Sequence, residues 1–406
     1  MVDTTGRNAI REDRITTAGK DEIDALTGIR GVAAVIVIAY HTYPARDFPL
    51  GLSHLVARGY LAVDVFFVLS GFVMALNYGK MFRERVRLPS VVTFLLRRVA
   101  RLYPLYITFF ALRLLYSLAV YDSVQVDRAW FALNLPHPVR DVIANIFMIQ
   151  SWGVAKAATS PTWSISTEWG AYFFFPFIVA LILFRRPLYA FLALAGAVGL
   201  VLLASCLTSF DGMHHNGALD AYDGRTLIPL LRCLGGFAIG LLTYRLYTWE
   251  PARRLAGAGL GWASLAWIAV ALVLHLPDQA IYPAFPALVL ALACDRGLLA
   301  RIFSWKPIFE LGVLSYTIYV IHNVWIGLVH WQIGHLPSTM PTLVAQTMSA
   351  VFLIVSLLVV GYGLHRWVEV PGRRIVRRAG DRAAQWLRPR VLRVSSVQIE
   401  EAKRSF

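Results

Sequence analysis

An all-α fold, a polytopic membrane helix bundle of about ten transmembrane helices with both termini cytoplasmic, is what the sequence predicts. Three observations carry it. Hydrophobic residues make up 57% of the 406 positions, and the mean hydropathy of +0.58 lies outside the range of soluble domains. The apolar residues are gathered into stretches long enough to cross about 30 Å of hydrocarbon. Basic residues then alternate between one loop and the next, as expected when cytoplasmic loops retain Lys and Arg.

In chain order the stretches fall near residues 29–45, 59–78, 102–120, 169–184, 188–206, 227–247, 258–275, 281–294, 308–329 and 343–366. The eighth is short and interrupted by proline. With the N-terminus inside, only Arg46, Arg58, Arg128, Arg140, Lys156 and Arg225 fall outside, Arg113 and Arg232 fall within spans, and the other basic residues line the inner face. The net charge of +15 therefore follows membrane topology and gives no reason to expect nucleic acid. Around a membrane domain at 29–370, the sequence places a polar cytoplasmic segment at 1–28 and a basic cytoplasmic tail at 371–406 that can lie on anionic lipid. The first span shows no cleavage site and is expected to be retained.

Two outside loops stand apart. The first, 121–168, holds the turn NLPHP and then IANIFMIQSW, an apolar run too short to span and so expected to be re-entrant or interfacial. The second, 207–226, mixes Asp211, His214, His215, Asp220, Asp223 and Arg225, a pattern typical of a solvated loop. Cys206, Cys233 and Cys294 lie in or beside apolar segments without metal-ligand spacing, and read as core residues; no metal is expected.

Ionisable groups inside a membrane are costly and ask for a reason. His41 ends the first apolar run and Arg30 begins it; eleven helical steps put both on one face about 16 Å apart. An imidazole there can accept a hydroxyl proton or carry an acyl group. Alone, His41 would read as a core histidine bonded to a neighbouring helix. Asp64 and Glu168 start the second and fourth helices from the outside, at the depth of His41, where a carboxylate could fix the imidazole tautomer. Each acid reads also as a helix N-terminal carboxylate favoured by the dipole, Asp64 more readily than Glu168. Ser164, four residues before Glu168, could pair with it on one helix face. At the inner end Arg30, Arg97, Arg98 and Arg101 cluster, with Glu369, Arg373 and Arg374 nearby, a layer suited to a polyphosphate such as that of coenzyme A. No GxxxxGK[ST] or GxGxxG motif competes for that role.

At these residues the chain resembles the membrane-bound acyltransferase family 3, whose members O-acylate extracytoplasmic polysaccharides and related acceptors. The resemblance rests on IRGVAAVIVIAYH, GYLAVDVFFVLSGFVM, FLLRRVARLYPLY, TWSISTEW and LGVLSYTIYVIH, in the family's order. It implies His41 as catalytic base or acyl carrier with Glu168 as a further site residue, beside which Asp64 stands as a catalytic candidate by its depth alone. It also implies Arg30, Arg98 and Arg101 on the side of an acyl-CoA donor, acetyl-CoA in the first instance. Trp163, Ser164, Tyr316 and His322 are the expected substrate contacts. The acceptor implied is a glycan or lipid-linked sugar, the location the bacterial cytoplasmic membrane, and the other partner the lipid bilayer. Relatives that carry an esterase-like domain outside the membrane differ here, since basic residues follow the last span; transfer is then expected to finish within the bundle. Two other readings stay open: an acceptor that is a small metabolite such as a macrolide, and a proton-coupled secondary transporter using the same ionisable groups.

Overall fold

Each of the ten apolar stretches is helical over most of its described residues in the computed structural model, which describes residues 23–42, 56–121, 137–159, 161–210, 215–295, 297–335 and 340–382. Among the described residues all regular structure is helical. Arg46, Arg128, Asp211 and His214, together with most of the predicted N-terminal segment and most of the basic tail, lie outside the described residues.

The helices are α1 (Asp24–Thr42), α2 (Ala62–Tyr78), α3 (Leu88–Tyr121), α4 (Pro138–Ile146), α5 (Thr162–Phe184), α6 (Pro187–Thr208), α7 (Ile228–Thr248), α8 (Glu250–Leu255), α9 (Ala258–Val273), α10 (Asp278–Ile281), α11 (Ala284–Cys294), α12 (Leu298–Phe303), α13 (Lys306–His335) and α14 (Thr342–Leu364). A π-helical turn, His365–Glu369, continues α14. The eighth stretch is two helices, α10 and α11, because its prolines remove amide donors the ladder needs. By length and hydropathy five helices can span a bilayer unaided: α1, α2 with its flanking turns, α5, α6, and α14 with its extension.

Burial separates centre from periphery. In the α2 span 78% of the apolar window is buried, against 22% for α6 and for the last span. The outward faces of α6 and α14 carry Phe191, Leu192, Val355 and Val359, all exposed. Such faces are stable only against lipid. The centre is α7, packed on α2, α5 and α6, with α1 laid along α13. An aromatic knot of Phe82, Phe94, Phe175 and Phe237 fills the space between α3, α5 and α7.

Glycine sets both principal crossings. A Cβ on Gly31 would sit 2.6 Å from the Gly312 nitrogen, and one on Gly312 would overlap the Thr27 carbonyl. Likewise Gly71 and Gly240 bring α2 and α7 into backbone contact. Lipid offers no hydrophobic drive between helices, so close backbone packing of small residues supplies the adhesion. The consequence for α1 and α13 is a parallel pair. His41 and His322 each lie ten residues beyond their crossing glycine, and their rings meet.

Within the region of IANIFMIQSW, α4 is one short helix, and the chain then turns back through Met148 and Gly153, both at positive φ. Polar groups fix that fold. Asn145 donates to Lys156 O at 2.9 Å and accepts from Ala158 N at 3.0 Å, while Trp152 Nε1 donates to Ser166 O at 2.8 Å. Cys233 is buried as expected, whereas Cys206 is exposed on the outward face of α6.

Candidate active site

His41 stands at the last turn of α1, half-buried, with Nδ1 2.9 Å from the carbonyl of Val37. His322, fully buried on α13, has Nδ1 2.7 Å from the carbonyl of Tyr319. A carbonyl can only accept, so both rings carry their proton on Nδ1 and turn a basic Nε2 elsewhere. The ring centroids are 5.1 Å apart, and Nε2 of His322 is buried with no partner among the described residues. Two imidazoles with fixed tautomers are thus held side by side. Beside them Ser164 Oγ and Tyr319 OH lie 2.7 Å apart, and the Tyr319 ring stands 5.7 Å from that of His322.

Several expected partnerships form differently. Asp64 does not orient His41: both of its oxygens are taken by Arg232, at 2.9 and 2.6 Å, with both side chains fully buried. An arginine within a span needs an acid at its own depth, and Asp64 is that acid. Ser164 does not pair with Glu168, because its hydroxyl turns to Tyr319 and to the carbonyl of Pro161. Trp163 is 5% exposed, packed between Phe67 and the Arg232 guanidinium, so it braces the site rather than facing a ligand. Tyr316 is likewise committed, its hydroxyl to Leu102 O at 2.6 Å and its ring beneath Arg101.

Glu168 belongs to a lower level. It accepts from Ser70 Oγ at 2.5 Å and from Tyr172 OH, and is within electrostatic reach of Arg30. Arg30 is within electrostatic reach of two acids, Glu168 and Glu369, and of Arg101, which repels it. Arg101 is closed on Glu369, a buried carboxylate that also accepts from Thr317, His365 and Arg373. Arg98 differs. It donates to Tyr78 OH at 2.7 Å, lies over the Tyr78 and Tyr172 rings, and makes no ion pair among the described residues. The buried Nε atoms of Arg97, Arg98 and Arg373 also have no acceptor among the described residues. Donors of that kind fit an incoming phosphate group.

The 207–226 loop is more than a solvated connection. Asp220 is buried and accepts from Tyr40 OH at 3.1 Å, and Asp278 accepts from Arg58, from Tyr60 OH and from Leu219 N. Arg232 also reaches up to Ala221 O at 3.3 Å and Tyr60 O at 3.0 Å. At the loop's end burial pushes the Asp223 carboxyl up, yet its bonds to the Arg225 side chain and backbone outweigh that and hold it below the usual carboxylate range. From the sequence, Tyr40 and Tyr319 were not singled out, and Asp220 was placed in a solvated loop. Tyr40 and Tyr319 had a usable signal, each lying within three residues of a singled-out histidine.

With this geometry in view, comparison with known proteins is decisive on one point. Residues 23–366 match the family model described as an acyltransferase domain, Acyl_transf_3. The chain belongs to that family. Among relatives of the chain, a putative membrane-bound transacylase, BcsY of Komagataeibacter xylinus, is 27% identical over 80% of the chain and 76% of its own length. Acyltransferase MdmB of Streptomyces mycarofaciens is 31% identical over 43% of the chain and 45% of its own. O-acetyltransferase OatA of Staphylococcus aureus is 24% identical over 74% of the chain and 50% of its own. The chain thus spans about half the length of the first curated relatives it matches. No solved structure matches it. The chain is a membrane protein, as its family and its apolar helices indicate.

Proposed function

We propose that this acyltransferase moves an acyl group, acetyl in the first instance, from cytosolic acyl-CoA to a hydroxyl of an extracytoplasmic or exported glycan, in the bacterial cytoplasmic membrane. One observation carries the reading. On a single helix, α1, Arg30 stands among the inner acids and arginines while His41 stands beside His322 at the other end. The inner level suits the phosphates of the donor, and the outer level suits a hydroxyl that must lose a proton. The pantetheine arm of coenzyme A supplies the reach between them.

In the general-base route, Nε2 of His41 takes the acceptor's proton as its oxygen attacks the thioester carbonyl carbon. A C–O bond forms, the C–S bond breaks, and the imidazolium returns the proton to the departing thiolate. In the carrier route Nε2 itself attacks, expelling the thiolate; the acceptor oxygen then displaces the imidazole and its proton goes to the thiolate. Membership in an acyltransferase family favours group transfer over the transporter reading. Labelled acetyl-CoA supplied to membranes from a deletion strain and its complement tests the proposal. A glycan labelled only in the complement supports it; consumption of label without a glycan product, or no consumption at all, overturns it.

A further inference from the structure

One face of α5 joins the inner arginines to the imidazole pair. Ser164, Glu168 and Tyr172 follow one another at four-residue spacing, so they share that face over about 12 Å. Its two ends are tied to different levels. At the inner end the Arg98 guanidinium carbon stands 5.8 Å from the Tyr172 ring centroid. At the outer end Ser164 Oγ is 2.7 Å from Tyr319 OH, and the Tyr319 ring stands 5.7 Å from that of His322. Glu168 lies between them, one helical turn from each.

From residue 161 to residue 172 every position is buried except Glu168, which is partly accessible. The lipid face of α5 does not account for this, because Phe173, Phe174, Phe177 and Leu181 form that face on the opposite side of the helix. Glu168 is held from inside the bundle: Ser70 of α2 donates to Oε1 at 2.5 Å, and Tyr172 OH donates to the same oxygen. Its second oxygen, Oε2, has no hydrogen-bond partner among the described residues. An acceptor left open within a membrane bundle is costly unless a donor arrives to meet it. A phosphate does not suit the place, since two anions would meet; an uncharged N–H does.

Depth selects which N–H. A thioester at the level of Ser164 and the imidazoles lies one helical turn, about 6 Å, beyond Glu168. In a pantetheine thioester the sulfur and the nearest amide nitrogen are separated by two methylenes, about 4 Å by ordinary bond lengths, and the second amide nitrogen lies about 5 Å further on. The nearer amide therefore reaches Glu168, and the farther one falls towards Tyr172 and Arg98.

We propose that Glu168 Oε2 accepts the amide N–H nearest the thioester, and that the uncharged arm of the donor lies along the Tyr172–Glu168–Ser164 face of α5. This rests on the acyl-transfer reading. Ser70 and Tyr172 act as positioning residues, since by filling Oε1 they leave Oε2 to the arm.

The test compares two short donors that differ in that one group: S-acetyl-N-acetylcysteamine, which has the amide, and 2-(acetylthio)ethyl acetate, its ester isostere, which has no N–H. Full-length protein in liposomes is given each of them, and acetyl-CoA, with a cell-envelope glycan fraction as acceptor. Rates are normalised to uncatalysed hydrolysis. The parent is expected to use the amide with kcat/KM at least about tenfold above the ester, the usual worth of a hydrogen bond to a charged group. Glu168→Gln keeps an oxygen for Ser70 and Tyr172 but turns an NH2 to the arm, so the preference should fall to within about twofold. A parent that treats amide and ester alike overturns the site, as does a Glu168→Gln protein, folded by size exclusion, that keeps the parent's preference. The parent's ratio requires no variant, so it decides even where Glu168→Gln does not fold. A parent that uses acetyl-CoA but neither short donor also overturns the site, because an arm held beside its sulfur binds without the nucleotide. No consumption of acetyl-CoA by the parent with any cell-envelope glycan overturns the acyl-transfer reading and the site with it.

Discussion

Asp64 on α2 and Arg232 on α7 form a bidentate ion pair that is wholly removed from solvent and lipid, with Nε–Oδ1 at 2.9 Å and Nη2–Oδ2 at 2.6 Å. Removing one partner of a buried pair leaves an uncompensated charge and costs about 3–5 kcal/mol, whereas apolar replacement of both is often tolerated. Asp64→Leu should therefore lose most folded protein, and Asp64→Leu with Arg232→Met should recover it. Size-exclusion profiles in detergent measure the recovery. Acyl transfer by the double variant would place Asp64 outside the chemistry; a well-folded but inactive double variant would restore a catalytic role for it.

His41→Ala should leave a folded protein whose transfer rate falls by about a hundredfold to ten-thousandfold, the range for losing a general acid–base group. His322→Gln should fall less in rate and keep its fold, because glutamine fits the buried site and the amide can still donate to Tyr319 O. Single-turnover rates with labelled donor report both. Equal losses would mean that the two imidazoles act as one unit.

The inner arginines should separate in donor KM. Arg98, with its charge unmet by any acid among the described residues, should raise the acyl-CoA KM by about tenfold or more when changed to Ala, the usual worth of a charge-assisted hydrogen bond. Arg101→Ala strips a partner from buried Glu369 and should instead lower thermal stability. A donor titration beside a melting curve in detergent distinguishes the two. The reverse pattern would assign the donor to Arg101.

Gly312→Ala should destabilise the bundle by at least the about 1–3 kcal/mol of an overpacked core, since the new methyl overlaps the Thr27 carbonyl. Gly196→Ala on α6 is the control: a Cβ there meets nothing within 4 Å, and the change should be neutral or stabilising by about 1 kcal/mol. Melting temperatures in one detergent compare them directly. If the two variants melt alike, the glycine crossing is not what holds α1 against α13.

What was legible in the sequence follows from the range of the forces involved. The ten helical stretches, and the break in the eighth, are local consequences of hydropathy and proline, so they could be read residue by residue. Partnerships could not. Asp64 with Arg232, Ser164 with Tyr319 and Glu369 with Arg101 join positions more than a hundred residues apart, and depth alone left each acid several possible cations. Arg232 was visible as a charge within a span, which dictates that some acid must meet it; which acid depends on how α2 and α7 cross at Gly71 and Gly240. The polar 207–226 loop resisted reading for a similar reason. Its composition is that of an exposed loop, and only the fold reveals Asp220 and Asp278 as buried acceptors.

The glycine crossing of α1 and α13 has an evolutionary side. Because two backbones touch there with no side chain between them, and each histidine sits the same ten residues further along, the spacing of the imidazoles is set by main chain alone. Mutations elsewhere in the bundle can then accumulate in a lineage while the two imidazoles stay in register.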